Sequence, residues 1–215
     1  MFTGIVEETG RVTSVPAPGR AGRLAIKASR VLEGTRIGDS IAVNGVCLTA
    51  TELLADGFAA DVMPQTLSHS NLASLRPGHR VNLERAMAAN GRFGGHIVSG
   101  HIDGTGTVRR VRRDQNAVRF TIGAPAGIMA LIVAQGSIAV DGISLTVADL
   151  YDDAFEGELD PGFKSKIQGE GVGRKYLSHL DKPTYENLMK FVINYTDGVI
   201  FETPEPPEAI RDLLV

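Results

Sequence analysis

An internal repeat constrains the fold of this chain more than any other feature of its sequence. The segment SIAVNGVCLTA, residues 40–50, nearly recurs as SIAVDGISLTV, residues 137–147, at an offset of 97 residues. Flanking segments keep almost the same offset, since ETGRV at 8–12 corresponds to GTGTV at 104–108. An offset of this size matches a small domain and not the period of a solenoid. The 215 residues therefore predict two related domains, each large enough to bury a core.

The hydrophobic pattern inside the repeat is typical of short β-strands. Four segments of the first copy alternate between apolar and polar residues or run apolar, with Gly, Pro or Asp between them: 23–28, 40–50, 58–63 and 79–85. The 25 glycines are concentrated in the first two thirds of the chain and favour tight turns between those strands. The pattern predicts a small antiparallel barrel or sandwich.

The net charge and the number of cysteines limit which binding partners and which cellular compartment we expect for this protein. A net charge of −3 gives no general reason to bind nucleic acid or anionic membranes, and the basic run Arg109–Arg113 fits an exposed hairpin end. No apolar run approaches the length of about 18 residues that a spanning helix needs. The single cysteine, Cys47, excludes an intrachain disulfide, and no apolar signal segment opens the sequence. We therefore expect a cytoplasmic protein.

The repeat breaks down in the last third of the chain. Residues 65–87 have no recognisable partner near 162–184. Apolar residues then recur at helical spacing and predict a helix capped by Thr184 and stopped by Gly198, followed by a strand at 198–202 and a terminal helix; the apolar positions are Leu188, Phe191, Val192 and Tyr195.

A glycine-rich segment, GGHIVSGHIDGTG at 94–106, carries two histidines. On a strand, His96 and His101 would face opposite sides, so a shared metal is not expected without a bulge, and no carboxylate or cysteine stands at ligand spacing. The glycines let the backbone approach a flat ligand, with one histidine directed at it. A glycine-bent strand with a satisfied histidine is the alternative, and the pattern leaves both open.

The repeated turn offers further candidates for a polar site. Ser144 takes the place of Cys47 in the second copy, so a shared covalent role is not expected, whereas shared hydrogen bonding or packing stays open. Thr49 and Thr146 suit a polar ligand, although threonine is also ordinary on a strand surface. The segment DVMPQT at 61–66 suits either the wall of a heterocycle pocket or an edge strand ended by proline.

Six segments, in their order, resemble the riboflavin synthase family: MFTGIVEETG, GDSIAVNGVCLT, DVMPQT, VNLERAM, GGHIVSGHIDGTG and GSIAVDGISLTV. The resemblance spans residues 1 to about 147 and implies two six-stranded Greek-key barrels. It also implies a homotrimer in which the first barrel of one subunit meets the second barrel of another. The implied reaction is a transferase dismutation of two 6,7-dimethyl-8-ribityllumazine molecules to riboflavin and 5-amino-6-ribitylamino-uracil, without metal or added cofactor. Two identical substrates in antiparallel orientation would need two nearly identical cradles.

The resemblance also implies roles for individual residues. His101 and Ser144 would handle protons and polarise the substrates, with Cys47 and Asp141 as further catalytic candidates. The implied substrate-binding residues are Gly4, Ile5, Val6, Cys47, Leu48, Thr49, Asp61, Val62, Met63, Pro64, Gln65, Thr66, Gly100, His101, Ile102, Gln135, Ser144, Leu145 and Thr146. Gln135 departs from the family's usual lysine and Gln65 from its usual glutamate. A non-catalytic lumazine- or flavin-binding protein and an inactive fusion are the alternative functions.

The end of the chain departs from that family. The segment DPGF at 160–163 replaces the expected second pocket segment, and residues from about 149 to 215 resemble part of the first Rossmann-like domain of bacterial glycogen synthases, which indicates a chimera. We therefore expect a mainly β protein with three units: a lumazine-binding barrel at 1–96, a partial second barrel at 97–163 and an α/β tail at 164–215.

Overall fold

The first repeat forms a closed six-stranded antiparallel barrel in the computed structural model, which describes residues 1–17, 19–92, 94–114, 117–159, 192–194 and 198–200. The order of strands around the barrel is β1-β2-β5-β4-β3-β6. The strands are β1 (Glu8–Ser14), β2 (Gly22–Lys27), β3 (Ser40–Val43), β4 (Val46–Leu54), β5 (Gly57–Val62) and β6 (Arg80–Arg85). Short helical segments connect some of them: α1 (Pro64–Ser68) and two 3-10 turns (Arg30–Leu32 and Asn71–Ser74).

Strand β4 illustrates why this sequence forms a barrel wall. Val46, Leu48 and Ala50 are buried while Thr49 is exposed, so the period of two places one face of the strand in the core. The hairpin between β3 and β4 turns through Asn44 and Gly45, both of which have a positive φ, as a two-residue turn between twisted strands requires.

The second repeat reproduces this order in five strands, β8-β9-β12-β11-β10, but its sheet stays open in the described part of the chain. These strands are β8 (Thr107–Asp114), β9 (Ala117–Gly123), β10 (Ser137–Val140), β11 (Ile143–Leu150) and β12 (Ala154–Leu159), with α2 (Ala126–Met129) between β9 and β10. Three short strands complete an eight-stranded sheet: β7 (Asp103–Gly104), β13 (Val192–Asn194) and β14 (Gly198–Ile200). The predicted duplication, with an incomplete second barrel, is confirmed.

The tail differs from its prediction at one described segment. Residues Val192–Asn194 form strand β13 instead of part of a helix, and they pair with β10 where β6 closes the first barrel. An edge strand such as β10 offers unpaired backbone groups, and β-branched Val192 and Ile193 suit a strand. The strand predicted from Gly198 is confirmed over Gly198–Ile200. The other predicted features of the tail lie outside the described residues: Thr184, Leu188, Phe191, Tyr195 and the terminal helix.

The two repeats exchange their leading segments. Val6, which precedes the first barrel, belongs to the core of the second repeat, whereas Ile102, which precedes the second sheet, packs against the core of the first. The exchange is centred on Phe2 and Val98, which bridge through two backbone hydrogen bonds of 2.7 and 3.0 Å. Their side chains join two alanines at equivalent positions of β3 and β10 in a third buried cluster between the repeats. Within the described ranges, no helix is both long and apolar enough to cross a membrane.

Candidate functional site

Two equivalent glycines join the exchanged segments to the repeated turns. The amide of Ser144 donates to the carbonyl oxygen of Gly4, and the amide of Cys47 donates to that of Gly100, each over 2.9 Å. Both glycines have a positive φ, 72° and 86°, and a Cβ atom on either would lie 2.7 Å from the Cβ of its partner. Glycine is required at both positions because the backbone conformation and the close approach each exclude a side chain.

Ser144 is paired with a histidine in the same chain. Its Oγ lies 2.6 Å from Nδ1 of His96, and both side chains are partly buried. The backbone amide of His96 donates to the carbonyl oxygen of Thr3 over 2.9 Å. His96 and His101 therefore diverge, since His101 has an exposed side chain and its segment is not part of a strand. The family resemblance predicted a catalytic role for Ser144 but did not predict its pairing with His96.

A buried carboxylate holds the first exchanged segment. Glu84 accepts hydrogen bonds from the amide of Thr3 at 2.7 Å, from Thr3 Oγ1 at 2.7 Å and from the amide of Gly4 at 3.0 Å. Burial raises the pKa of Glu84 to about 7, and the charge of Glu7 adds to the rise, while the three hydrogen bonds oppose it. Desolvation of the charged form outweighs the donors.

The two hairpin turns meet where the repeats touch. Asp141 is buried and has a positive φ like Asn44, its equivalent in the first repeat. Its Oδ1 accepts from Asn71 Nδ2 at 2.8 Å, and its carbonyl oxygen accepts from Asn82 Nδ2 at 2.9 Å. The backbone amide of Asn82 donates to Asn44 Oδ1 at 2.8 Å. The structure therefore places Asp141 in the contact between the repeats.

The remaining candidate residues fall into three groups by burial. Leu48, Val62 and Leu145 are core residues, so only their backbone groups are available to a ligand. Cys47, Ile5, Thr66 and Ile102 are partly buried. The exposed candidates are Thr49, Asp61, Met63, Pro64, Gln65, Gln135 and Thr146.

The exchange also divides the candidates between the two repeats. Gly100, His101 and Ile102 lie with Cys47 on the first barrel, whereas Gly4 and Val6 lie with Ser144 on the second sheet. The family resemblance assigned Gly4, Ile5 and Val6 to the first pocket. In the structure, Gly4 and Val6 contact the second repeat instead.

A cleft of about 890 Å³ opens beside the exchanged segment and the glycine-rich segment. Thr3, Ile5, Ser40, Glu84 and Arg92 are among the residues that line it, and its lining includes neither Cys47 nor Ser144. The cleft therefore adjoins the polar network at Thr3 and Gly4 without containing the repeated turns. Among the described residues, no three His, Cys, Asp or Glu side chains are grouped to hold a metal ion.

Thr3 lies in the motif MFTGIVEETG and Glu84 in the motif VNLERAM, but the sequence predicted a functional role for neither residue. A signal was present in β6, where Asn82 and Glu84 alternate with the core residues Val81 and Leu83. Two polar residues on the second face of a strand, both buried, indicate a second buried surface. That surface is the contact between the two repeats.

A duplicated barrel whose repeats exchange their leading segments defines a class of tandem β-barrel proteins, and comparison with known proteins identifies the family within that class. The lumazine binding domain family matches residues 3–86 and 99–178, so the second match extends into the predicted tail. The riboflavin synthase of Bacillus subtilis (strain 168) is 50% identical over 195 residues, which cover 85% of this chain and 91% of that protein. The riboflavin synthase of Actinobacillus pleuropneumoniae is 48% identical over 180 residues, covering 84% and 82%. The chain belongs to the riboflavin synthase family.

Solved structures support the fold. The crystal structure of LumP complexed with riboflavin superposes with a TM-score of 0.69 at 24% identity, covering 76% of this chain and 89% of that one. LumP complexed with 6,7-dimethyl-8-(1'-D-ribityl) lumazine gives a TM-score of 0.68 at 22% identity, covering 80% and 93%. At these identities the likeness concerns the arrangement of strands alone.

Proposed function

We propose that this chain is a riboflavin synthase that converts two 6,7-dimethyl-8-ribityllumazine molecules into riboflavin and 5-amino-6-ribitylamino-uracil. The observation that carries the proposal is the equivalence of the contacts Cys47–Gly100 and Ser144–Gly4. Two positions with the same backbone geometry suit two molecules of one compound, which the proposed dismutation consumes.

The proposed chemistry asks little of the protein beyond positioning and proton transfer. A proton leaves the 7-methyl group of one lumazine, and the resulting anion is stabilised by the substrate's own conjugated ring. His101 would handle this proton, and Ser144 would donate a hydrogen bond to the second ring. Strand β4 carries Cys47 and Thr49, and strand β11 carries Thr146, each on the face opposite the core residues of its strand. Residues that hold ribityl or ring oxygens would lie on such a face.

We further propose a cytoplasmic homotrimer in which each site combines two subunits. Met1 and Ile97 stand at equivalent positions next to the exchanged segments, and their side chains are 62% and 64% exposed. Large apolar side chains exposed beside a site are suited to contact with another subunit. His101, exposed on its own chain, would reach the substrate held at Ser144 of a neighbour. The resemblance of the tail to glycogen synthases, with its three-unit division of the chain, stays a prediction.

The direct test follows product formation by the purified full chain. Incubation with 6,7-dimethyl-8-ribityllumazine should give riboflavin absorbance and one pyrimidine for each riboflavin formed. Quenching of lumazine fluorescence without any riboflavin would instead favour the non-catalytic binding protein, and neither signal would favour an inactive fusion.

A further inference from the structure

One dipeptide, Thr3–Gly4, connects a buried carboxylate of the first repeat to the polar pair of the second. Its two amides and the Thr3 hydroxyl all donate to Glu84. Its two carbonyl oxygens accept from the amides of His96 and Ser144, each at 2.9 Å. The backbone groups of this dipeptide are therefore all committed, the amides to the carboxylate and the carbonyl oxygens to the pair, and the Thr3 hydroxyl also accepts from the amide of Ile5 over 3.3 Å.

The network closes through side chains. Ser144 Oγ and His96 Nδ1 lie 2.6 Å apart, and their two backbone amides are fixed by neighbouring carbonyl groups of the dipeptide. The separation of the two side chains thus depends on where the dipeptide lies. Glu84 is the group that fixes the dipeptide from the first barrel, because it is buried on β6 and both of its oxygens accept.

We propose that Glu84 is a positioning residue for the Ser144–His96 pair, acting across the contact between the repeats through Thr3 and Gly4. This inference rests on the proposed function only in taking Ser144 as a residue that contacts substrate. Glu84 itself touches neither the serine nor the histidine, so its effect on turnover must pass through the dipeptide.

Glu84→Gln is the informative variant. A glutamine oxygen still accepts from Thr3, but its NH₂ group faces the Gly4 amide as a second donor, which displaces the segment. Glu7→Gln is the matched control, because Glu7 is a partly buried carboxylate whose hydrogen bonds go to Arg85, the residue after Glu84 on β6, and not to the dipeptide. Both variants lose one negative charge at the same cleft.

Turnover at pH 8 tests the proposal by a double-mutant cycle. We expect Glu84→Gln to lower kcat about tenfold with KM within about threefold, and Glu7→Gln to change kcat by less than about twofold. In a Ser144→Ala background, Glu84→Gln should lower kcat by less than about twofold, because its target is gone. Multiplicative effects of the two substitutions, or an unchanged kcat in Glu84→Gln, would overturn the proposal.

NMR titration of the His96 imidazole, assigned by its loss in His96→Asn, provides a readout independent of turnover. Glu84→Gln should shift the His96 midpoint in the same direction as Ser144→Ala does, and Glu7→Gln should leave it in place. If Glu84→Gln is insoluble, Thr3→Val, which removes one donor to the carboxylate, should produce a smaller shift of the same sign. A wild-type chain that forms no riboflavin but shows these shifts would remove the proposed function and keep the role of Glu84; an unmoved His96 midpoint would remove that role.

Discussion

The amide of Ser144, in the second repeat, donates a 2.9 Å hydrogen bond to the carbonyl oxygen of Gly4, which precedes the first repeat's barrel. Gly100 makes the same contact with Cys47 in the other direction. Each repeat therefore supplies the segment that lies against the polar turn of its twin. Duplication and exchange together make the two halves interdependent, since neither turn is complete without backbone from the other repeat.

Replacing either exchange glycine should destabilise the fold far more than replacing an unobstructed one. Gly4→Ala and Gly100→Ala each combine a positive φ with a steric overlap, so we expect a loss of about 2–4 kcal/mol in the free energy of unfolding. Gly34→Ala is the control, because Gly34 has a φ of 78° but no neighbour within 4 Å, and should cost about 1 kcal/mol. Urea unfolding of the three variants measures the difference. Equal losses at Gly4 and Gly34 would show that the exchange contact is loose in solution.

The sequence predicted the repeated strands because their apolar residues alternate along each copy, as in β4 and β11. It predicted the turns because each copy keeps a polar pair, Asn44–Gly45 or Asp141–Gly142, between two apolar runs. It did not predict the exchange, because the offset between Gly4 and Gly100 is the same whether each glycine returns to its own barrel or crosses. Tertiary pairing decides that choice.

In the candidate site, too, the sequence could predict features that follow from the local pattern but not those that depend on tertiary contacts. The positions of Cys47 and Ser144 follow from the repeat itself. The pairing of Ser144 with His96 does not, because the two residues are 48 positions apart and only tertiary structure brings them together. Glu84 was hidden for a similar reason, since its partners Thr3 and Gly4 are remote in sequence.

His101→Ala tests the proton-transfer role that the family resemblance implies. The side chain is exposed on its own chain, so its removal should affect the urea midpoint less than it affects turnover. We expect kcat to fall by about 10²–10³, with lumazine affinity changed less than fivefold, as loss of a general base typically produces. Steady-state turnover and fluorescence titration measure the two effects. A large loss of affinity with an unchanged kcat would assign His101 to binding.

Gln135 occupies a backbone conformation that favours glycine. Its φ is 61°, its amide donates to the carbonyl oxygen of Val147 at 2.8 Å, and the equivalent residue of the first repeat is Gly38, with a φ of 96°. Gln135→Gly should therefore raise the free energy of unfolding by roughly 0.5–1 kcal/mol. Gln135→Ala keeps the strained backbone conformation and removes only the side-chain carboxamide, so it should not raise the free energy of unfolding. A destabilised glycine variant would mean that the glutamine side chain contributes contacts that outweigh the strain.

Asp141→Asn should weaken the contact between the repeats. The turn accepts asparagine, as Asn44 shows in the first repeat, and one oxygen would still accept from Asn71. The new NH₂ group faces Asn82 Nδ2, which now lies 3.5 Å from Asp141 Oδ2, so two donors would meet. We expect a loss of about 1–2 kcal/mol in the free energy of unfolding, measured in urea. A variant that lost turnover at an unchanged midpoint would instead assign Asp141 to the substrate.

Glu84 should make stability depend on pH in the direction opposite to a salt-bridged carboxylate. Its pKa is about 7 in the folded chain and 4.5 as the ordinary value, because burial disfavours the charged form. The folded state therefore holds this proton more tightly than the unfolded state. The resulting stability is fully present below about pH 4.5 and is lost as the pH rises through 7. A difference of this size corresponds to about 3 kcal/mol.

Comparing wild type with Glu84→Gln isolates this contribution from the other charged groups around the cleft, among them Glu7, Glu33, Asp39, Arg85 and Arg92. Urea unfolding at pH 5, 6, 7 and 8 should show wild type gaining most over the variant at pH 5, with the advantage shrinking by roughly 2–3 kcal/mol towards pH 8. The variant cannot ionise at this position, so its own curve should be flatter over the same range. A difference between the two proteins that stays constant from pH 5 to 8 would mean that Glu84 is ionised throughout, with its three donors outweighing burial.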